Sequence, residues 1–244
     1  MTTNSLSENE TQSHTRINTS LLSKPEMVFI HWFVSRAPDW VTPDILTAIG
    51  FAGTLLTFIG YCLTLIDARF LWLASIGLVI NWFGDSTDGN MARFRHIERP
   101  RYGYFLDHLV DSVSMILIII GIGISPYVQF NIALLALVAY MLLSIFVYLD
   151  TAVNKTFQLS YGGLGPTEGR LIIILANSLM LVTGNKAFTF KLGTFTLFDL
   201  IAIILTIVLL IFFVTMTIKR LRYLAKLEPE INYRSKTEED HTDQ

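Results

Sequence analysis

Charge is what this sequence has least of. Only 16% of its 244 residues are Asp, Glu, Lys or Arg, where a soluble domain carries about 25%. Hydrophobic residues make up 52%, and mean hydropathy is +0.51. That balance argues against an ordinary water-soluble globule and for a membrane protein. Cysteine is nearly missing as well. Cys62 stands alone inside an apolar run, so no intramolecular disulfide is open to it and it reads as a small buried hydrophobe. The first two dozen residues lack the basic start and apolar stretch of a secretory signal, so no cleavage is expected. Internal repeats are missing too. Without matching interrupted helices in two halves, a repeat-built transporter is a poor fit. No nucleic-acid partner is expected.

What is present is a series of apolar runs, each near the roughly 20 residues that cross a bilayer as a helix. Six are expected, over 44–66, 70–93, 104–124, 129–151, 169–184 and 198–218. An open sheet would leave backbone groups unpaired in lipid, so the fold class is all-α, a six-helix polytopic bundle. Ahead of it, residues 25–41 mix Met27, Phe29, Ile30, Trp32, Phe33 and Trp40 with His31, Arg36 and Asp39. This reads as an amphipathic helix on the membrane face. Thr42, Pro43 and Asp44 then give a helix-start signal. The polar stretches 1–24 and 221–244 read as disordered tails, which leaves 42–220 as the membrane domain. Of the lysines and arginines, only Arg69, Lys186 and Lys191 fall on one side of such a bundle. The positive-inside rule therefore places both termini, and the loop carrying Arg93, Arg95, Arg99 and Arg101, in the cytosol.

The second run ends in Asn81-Trp82-Phe83-Gly84-Asp85-Ser86-Thr87-Asp88-Gly89-Asn90-Met91-Ala92-Arg93. The third opens with Gly103 and carries Asp107, His108 and Asp111. A charge deep in a bilayer costs about 2.5–3.5 kcal/mol on the mildest scale, so these carboxylates need partners. Asp85 and Asp88 are spaced i, i+3, and Asp107 and Asp111 are spaced i, i+4, so each pair shares a helical face. The short connection makes the two helices antiparallel neighbours. All four carboxylates are expected to converge near the cytosolic end. Uncompensated, they would repel one another. Hard divalent cations, Mg²⁺ first and Mn²⁺ second, resolve that conflict. Gly84, Gly89, Ala92 and Gly103 leave space for a ligand near the backbone, and Arg93 suits a phosphate. Together these features point to phosphoryl chemistry.

The pattern Asp85-x-x-Asp88-Gly89-x-x-Ala92-Arg93, nine residues, then Gly103-x-x-x-Asp107-x-x-x-Asp111 resembles the signature of the CDP-alcohol phosphotransferase (phosphatidyltransferase) family, matching at all eight positions. The resemblance implies attack by an alcohol on a CDP-linked donor, either a CDP-diacylglycerol or a CDP-amino-alcohol, with release of CMP. It implies a two-metal cluster on Asp85, Asp88, Asp107 and Asp111, with Asp111 also the general base. It implies that Gly89, Ala92, Arg93 and Gly103 border the donor, and it makes a homodimer the expected assembly. One departure stands out. Family members often carry Pro-Asn-x-x-Thr before the first span, and here Pro43-Asp44-Ile45-Leu46-Thr47 takes its place. Thr47 is then a donor contact, and Asp44 is either a helix-start residue or a fifth acid near the site.

For the acceptor, His108, Glu168 and Arg170 are candidates. The Asp107-His108 and Asp111-Ser112 pairs are similar to those of the choline/ethanolamine branch of the family. A buried Arg170 favours a phosphorylated acceptor, and Glu168 favours a cationic one. Asp150 and Asp199 sit at segment ends and read as interfacial. The main reading is an integral membrane phosphatidyltransferase of phospholipid synthesis using CDP-diacylglycerol. A CDP-amino-alcohol enzyme is the alternative within the class, and an ion-coupled transporter is the alternative outside it. Against the transporter, the runs Met115 to Ile120 and Leu205 to Phe213 hold almost no polar group to continue an ion path.

Overall fold

The computed structural model describes residues 15–17, 23–154, 156–158, 166–185, 187–190 and 193–227. The stretches read as disordered at 1–14 and 228–244, and the loop 161–165, lie outside the described residues. Among the described residues seven helices dominate: α1 (Ser23–Val34), α2 (Pro43–Leu63), α3 (Phe70–Phe94), α4 (Pro100–Ile124), α5 (Phe130–Asn154), α6 (Pro166–Thr183) and α7 (Leu197–Leu227). The expected runs thus appear as α2 to α7, with ends shifted by a few residues except at the C-terminal end of α7, which runs on to Leu227. By length and composition, four helices among the described residues can cross a membrane: α2, α4, α5 and α7. The polar end of α3 and the short α6 set those two apart. Two small strand pairs complete the described residues. β1 (Thr15–Ile17) runs parallel to β2 (Thr156–Gln158), and β3 (Ala187–Phe190) runs antiparallel to β4 (Gly193–Thr196). Part of the stretch expected to be a disordered tail is therefore strand, and α1 begins at Ser23.

The start of α2 follows the local signal. Pro43 occupies the first turn and the Thr42 hydroxyl accepts from the Ile45 amide at 3.3 Å, pairing a donor that a helix start leaves over. α2 then packs on α3 at unusually close range. A Cβ at Gly53 would lie 2.5 Å from the Asn81 amide nitrogen, one at Gly60 2.5 Å from that of Ala74, and one at Gly84 against Gly50. Small residues let two helix backbones approach where apolar burial offers no drive between them. Gly84 therefore serves helix contact, not ligand space. That packing sets α2 beside the acidic end of α3.

α1 is shorter than expected and stops at Val34. It buries Ile30 and Val34 with Val41, Leu46 and Met91, stacks Phe29 on Trp82 and sets Phe33 edge-on against Phe83. Met27, Val28 and Trp32 remain exposed on its other face. The segment after it is clasped by Arg95, whose guanidinium donates to the carbonyls of Ala37, Pro38, Asp39 and Val41 at 2.7 to 3.3 Å. Arg95 is thus a structural donor as well as a positive charge. Asp44 pairs with Arg99 across the surface. It is a helix-start residue with its own cation, not a fifth acid of the site, and the pair raises the Arg99 pKa.

Asp150 and Asp199, read as interfacial, are buried against protein partners. Arg220 on α7 grips Asp150 on α5 with two nitrogens, at 2.5 and 2.6 Å. Asp199 accepts from the Gln129 amide at 2.7 Å and the Thr196 amide at 2.8 Å, so a carboxylate in the first turn of α7 caps the starts of two helices, α5 and α7. At 31 residues, α7 is about 46 Å long and outruns a hydrocarbon core of about 30 Å. Its helix-forming stretch from Lys219 to Leu227 therefore continues where a tail was expected to begin.

Candidate active site

α3 and α4 carry the acidic residues, and the spacing of each pair sets the geometry; the two helices expected to be neighbours do not pack on each other directly, both packing on α2 instead. One carboxylate oxygen each from Asp85, Asp107 and Asp111 lies within 4.8 Å of the others. Asp88 stands apart from this trio. Its Oδ2 accepts from the Thr47 hydroxyl at 2.6 Å and its Oδ1 from the Gly89 amide at 2.5 Å. It still lines the same small cavity as the trio, together with Thr47, Gly50 and Asn81. Of the four carboxylates expected to converge, three lie at close range, and the fourth, buried Asp88, lines the same cavity beside them.

Arg170, near the start of α6, reaches into this cluster. Its Nη1 lies 2.7 Å from Asp85 Oδ2, and its Nη2 is 4.0 Å from Asp111 Oδ1. The side chain of Asp85 is 21% exposed, against 41% for Asp107 and 36% for Asp111. The two carboxylates of α4 are thus the more open ones, and Asp85 is the one pinned by a cation. One guanidinium against several acidic groups leaves negative charge over, which a divalent cation would offset. The donor set fits such an ion. It is all oxygen, and octahedral Mg²⁺ with ligands at about 2.1 Å spans opposed oxygens about 4.2 Å apart. A spread of 4.8 Å needs only small side-chain movements to close on it.

The remaining candidates fall into three groups. Thr47 faces the cavity through its bond to Asp88. Arg93 is exposed and folds back along α3, donating to Asn90 Oδ1 at 3.0 Å and lying 3.5 Å from the point where a Gly89 Cβ would stand. Ala92 is half-buried on the same helix. Among the described residues nothing lies within 4 Å of a Cβ built at Gly103, so open space borders that glycine. His108 is sandwiched between Tyr104 and Tyr148, with ring centroids at 4.0 and 4.9 Å, and its Nδ1 is 3.6 Å from Asp107 Oδ2. Ser112 donates to the His108 carbonyl at 2.7 Å. Glu168 is buried in the first turn of α6, two residues before Arg170.

Two residues near the site carried no signal in the sequence. Glu26 on α1 accepts from the Trp82 indole at 2.9 Å, the Ser86 hydroxyl at 2.6 Å and the Thr167 hydroxyl at 3.1 Å. It thereby ties α1 to both helices that bear the Asp85–Arg170 pair. Asn81 lies one turn below Asp85, buried. Glu26 is 141 positions from Thr167, and no local pattern reports such a contact.

Comparison with known proteins places this geometry in context. Cholinephosphotransferase 1 of Danio rerio is 27% identical over 187 residues, 72% of this chain and 47% of the relative. That of Xenopus laevis is 31% identical over 108 residues, 42% of this chain and 27% of the relative. The chain spans about half or less of the length of these relatives. Archaetidylinositol phosphate synthase of Pyrococcus horikoshii is 31% identical over 140 residues, 57% of this chain and 70% of the relative. The family model for CDP-alcohol phosphatidyltransferases matches residues 40–223, a range that takes in the acidic cluster, Arg170 and all the helices from α2 to α6. With the acidic signature, its spatial convergence and this match in agreement, the chain belongs to the CDP-alcohol phosphatidyltransferase family.

Proposed function

We propose that this membrane protein transfers a substituted phosphate group from a CDP-linked donor to an alcohol, releasing CMP, in phospholipid synthesis. The observation that carries this is the approach of Asp85, Asp107 and Asp111 oxygens to within 4.8 Å in a chain of this family. Asp85, Asp88, Asp107 and Asp111 would hold two Mg²⁺ or Mn²⁺ ions. Bound there, the ions supply neutralising charge to the donor diphosphate and make CMP a better leaving group.

The chain's own groups do the rest. Asp111 takes the proton of the acceptor hydroxyl as its oxygen bonds to the phosphorus of the non-cytidine half and the bond to CMP breaks. Its partial exposure leaves it open to a substrate, as a general base must be. Arg170 holds Asp85 in place. Thr47, Gly89, Ala92, Arg93 and Gly103 border the cytidine and diphosphate, and the open space at Gly103 supports that placement. His108, Glu168 and Arg170 surround the acceptor. The unit that does this runs over 42–220 as six spans with α1 on the membrane face, both termini and the site being cytosolic, and the protein acts as a homodimer.

CDP-diacylglycerol with a polar alcohol is one substrate pair. CDP-amino-alcohol with a lipid alcohol is a second, favoured by likeness to proteins named cholinephosphotransferases. The test is to incubate purified protein with radiolabelled CDP-diacylglycerol or CDP-choline and a panel of alcohols, identifying lipid products by mass. One donor class is expected to yield CMP and a phospholipid together. No CMP from either class would refute the reading.

A further inference from the structure

One turn below the carboxylates, the space between α2, α3 and α4 is closed by side chains that are polar yet buried. Asn81, Thr54 and Ser114 are 2%, 0% and 2% exposed. Asn81 precedes Asp85 by four residues on α3, which puts the two on one face, and it lines the cavity that the aspartates line. Its amide nitrogen donates to the Gly50 carbonyl at 3.2 Å and to Thr54 Oγ1 at 3.0 Å. The Thr54 hydroxyl in turn donates to Ser114 Oγ at 2.9 Å.

This network fixes which way the amide points. The Gly50 carbonyl can only accept, so the nitrogen faces α2 and Oδ1 is the atom left over. Oδ1 is buried and has no hydrogen-bond partner among the described residues. A buried amide oxygen without a donor is costly, and such groups call for an occupant that completes them. Oδ1 is acceptor-only and neutral. It suits a proton-bearing, positively charged occupant without adding to the negative charge of the aspartates. A hydrated divalent cation has that character, since Mg²⁺ sheds its waters reluctantly and keeps several when bound to carboxylates.

We propose that Asn81 Oδ1 accepts a hydrogen bond from the hydrated divalent cation held by Asp85, Asp107 and Asp111, which makes Asn81 a positioning residue for that cation. The inference rests on the metal-bearing reading of the acidic cluster. Groups that orient a bound metal from outside its ligand set commonly change affinity 10- to 100-fold when replaced.

The experiment uses the full chain purified in detergent, with Mn²⁺ as probe and its binding followed by electron paramagnetic resonance. Asn81→Leu removes the oxygen at similar volume. Asn81→Asp keeps an acceptor oxygen and loses the amide donors. The expected order is Mn²⁺ binding at least fivefold weaker in Asn81→Leu and no weaker than wild type in Asn81→Asp. An Asn81 valued only for its amide donors would weaken binding in both variants, because leucine lacks those donors too, and an impaired Asn81→Asp overturns the proposal. A smaller loss in folded Asn81→Leu, judged by its melting temperature without metal, overturns the proposal. Should Asn81→Leu not fold, Asn81→Asp decides alone, and weaker binding than wild type overturns the proposal. Asp107→Asn separates the two levels. Wild-type Mn²⁺ binding that Asp107→Asn leaves unchanged removes the metal site itself, and the Asn81 proposal with it.

Discussion

Arg170 Nη1 sits 2.7 Å from Asp85 Oδ2, at the point where helix α6 meets the acidic end of α3. The guanidinium is 10% exposed and its second nitrogen leans toward Asp111. A buried cation so placed shares the aspartates with any metal ion. It also explains how several carboxylates coexist there before an ion arrives.

Replacing Arg170 by Gln should therefore separate two effects. Without metal, an uncompensated buried charge should cost on the order of 3 kcal/mol of stability. With saturating Mg²⁺ most of that loss should disappear, because the ion takes over the compensation. Thermal melting of both proteins with and without Mg²⁺ checks this. Equal losses in the two conditions would mean that Arg170 and the ion do not share Asp85.

Glu26 collects three donors from two helices, and Glu26→Ala strands Trp82, Ser86 and Thr167 together. A fully buried donor left unpaired costs about 1–3 kcal/mol, and these three are half-buried, so each loses less. The melting temperature should drop clearly, and Glu26→Gln, which keeps an acceptor oxygen, should recover part of it. Turnover should fall in parallel, since the same contact holds α1 against both site-bearing helices. Unchanged stability in Glu26→Ala would show that α1 does not brace the site.

Glycines predict a contrast. Gly53→Ala forces a methyl group to 2.5 Å from the Asn81 nitrogen, against backbone that cannot give way. Such overpacking costs about 1–3 kcal/mol and should move Thr47 away from Asp88. Gly103→Ala meets nothing within 4 Å among the described residues and should leave stability intact while raising the KM for the CDP-linked donor. Denaturation curves and donor titrations on the two variants separate packing from ligand space.

Much of this was legible from residue pattern alone. Apolar run lengths located six helices, with ends within a few residues except for the polar C-terminal end of α7, because hydropathy averages well over a turn or more. The i, i+4 spacing of Asp107 and Asp111 told which side chains share a face. Other relationships were not legible, for physical reasons. Whether Gly84 makes room for a ligand or for a neighbouring helix depends on Gly50, which sits on another element. Asp199 looks like any acid near a helix start until Gln129, 70 positions away, is seen to donate to it. Arg95 reads as a topogenic charge, yet it binds four carbonyls of a segment more than 50 residues upstream. In each case the deciding partner is distant in sequence and the residue type is common.

Release of CMP from a CDP-linked donor, measured on purified protein stripped of metal with EDTA and then supplied with Mg²⁺ or Mn²⁺, puts the carboxylate cluster to the test. No CMP should form in the stripped enzyme, and activity should return with either ion in wild type but not in Asp107→Asn. Turnover that persists through thorough chelation, or that Asp107→Asn retains in full, would contradict a transferase built on ions held by these aspartates.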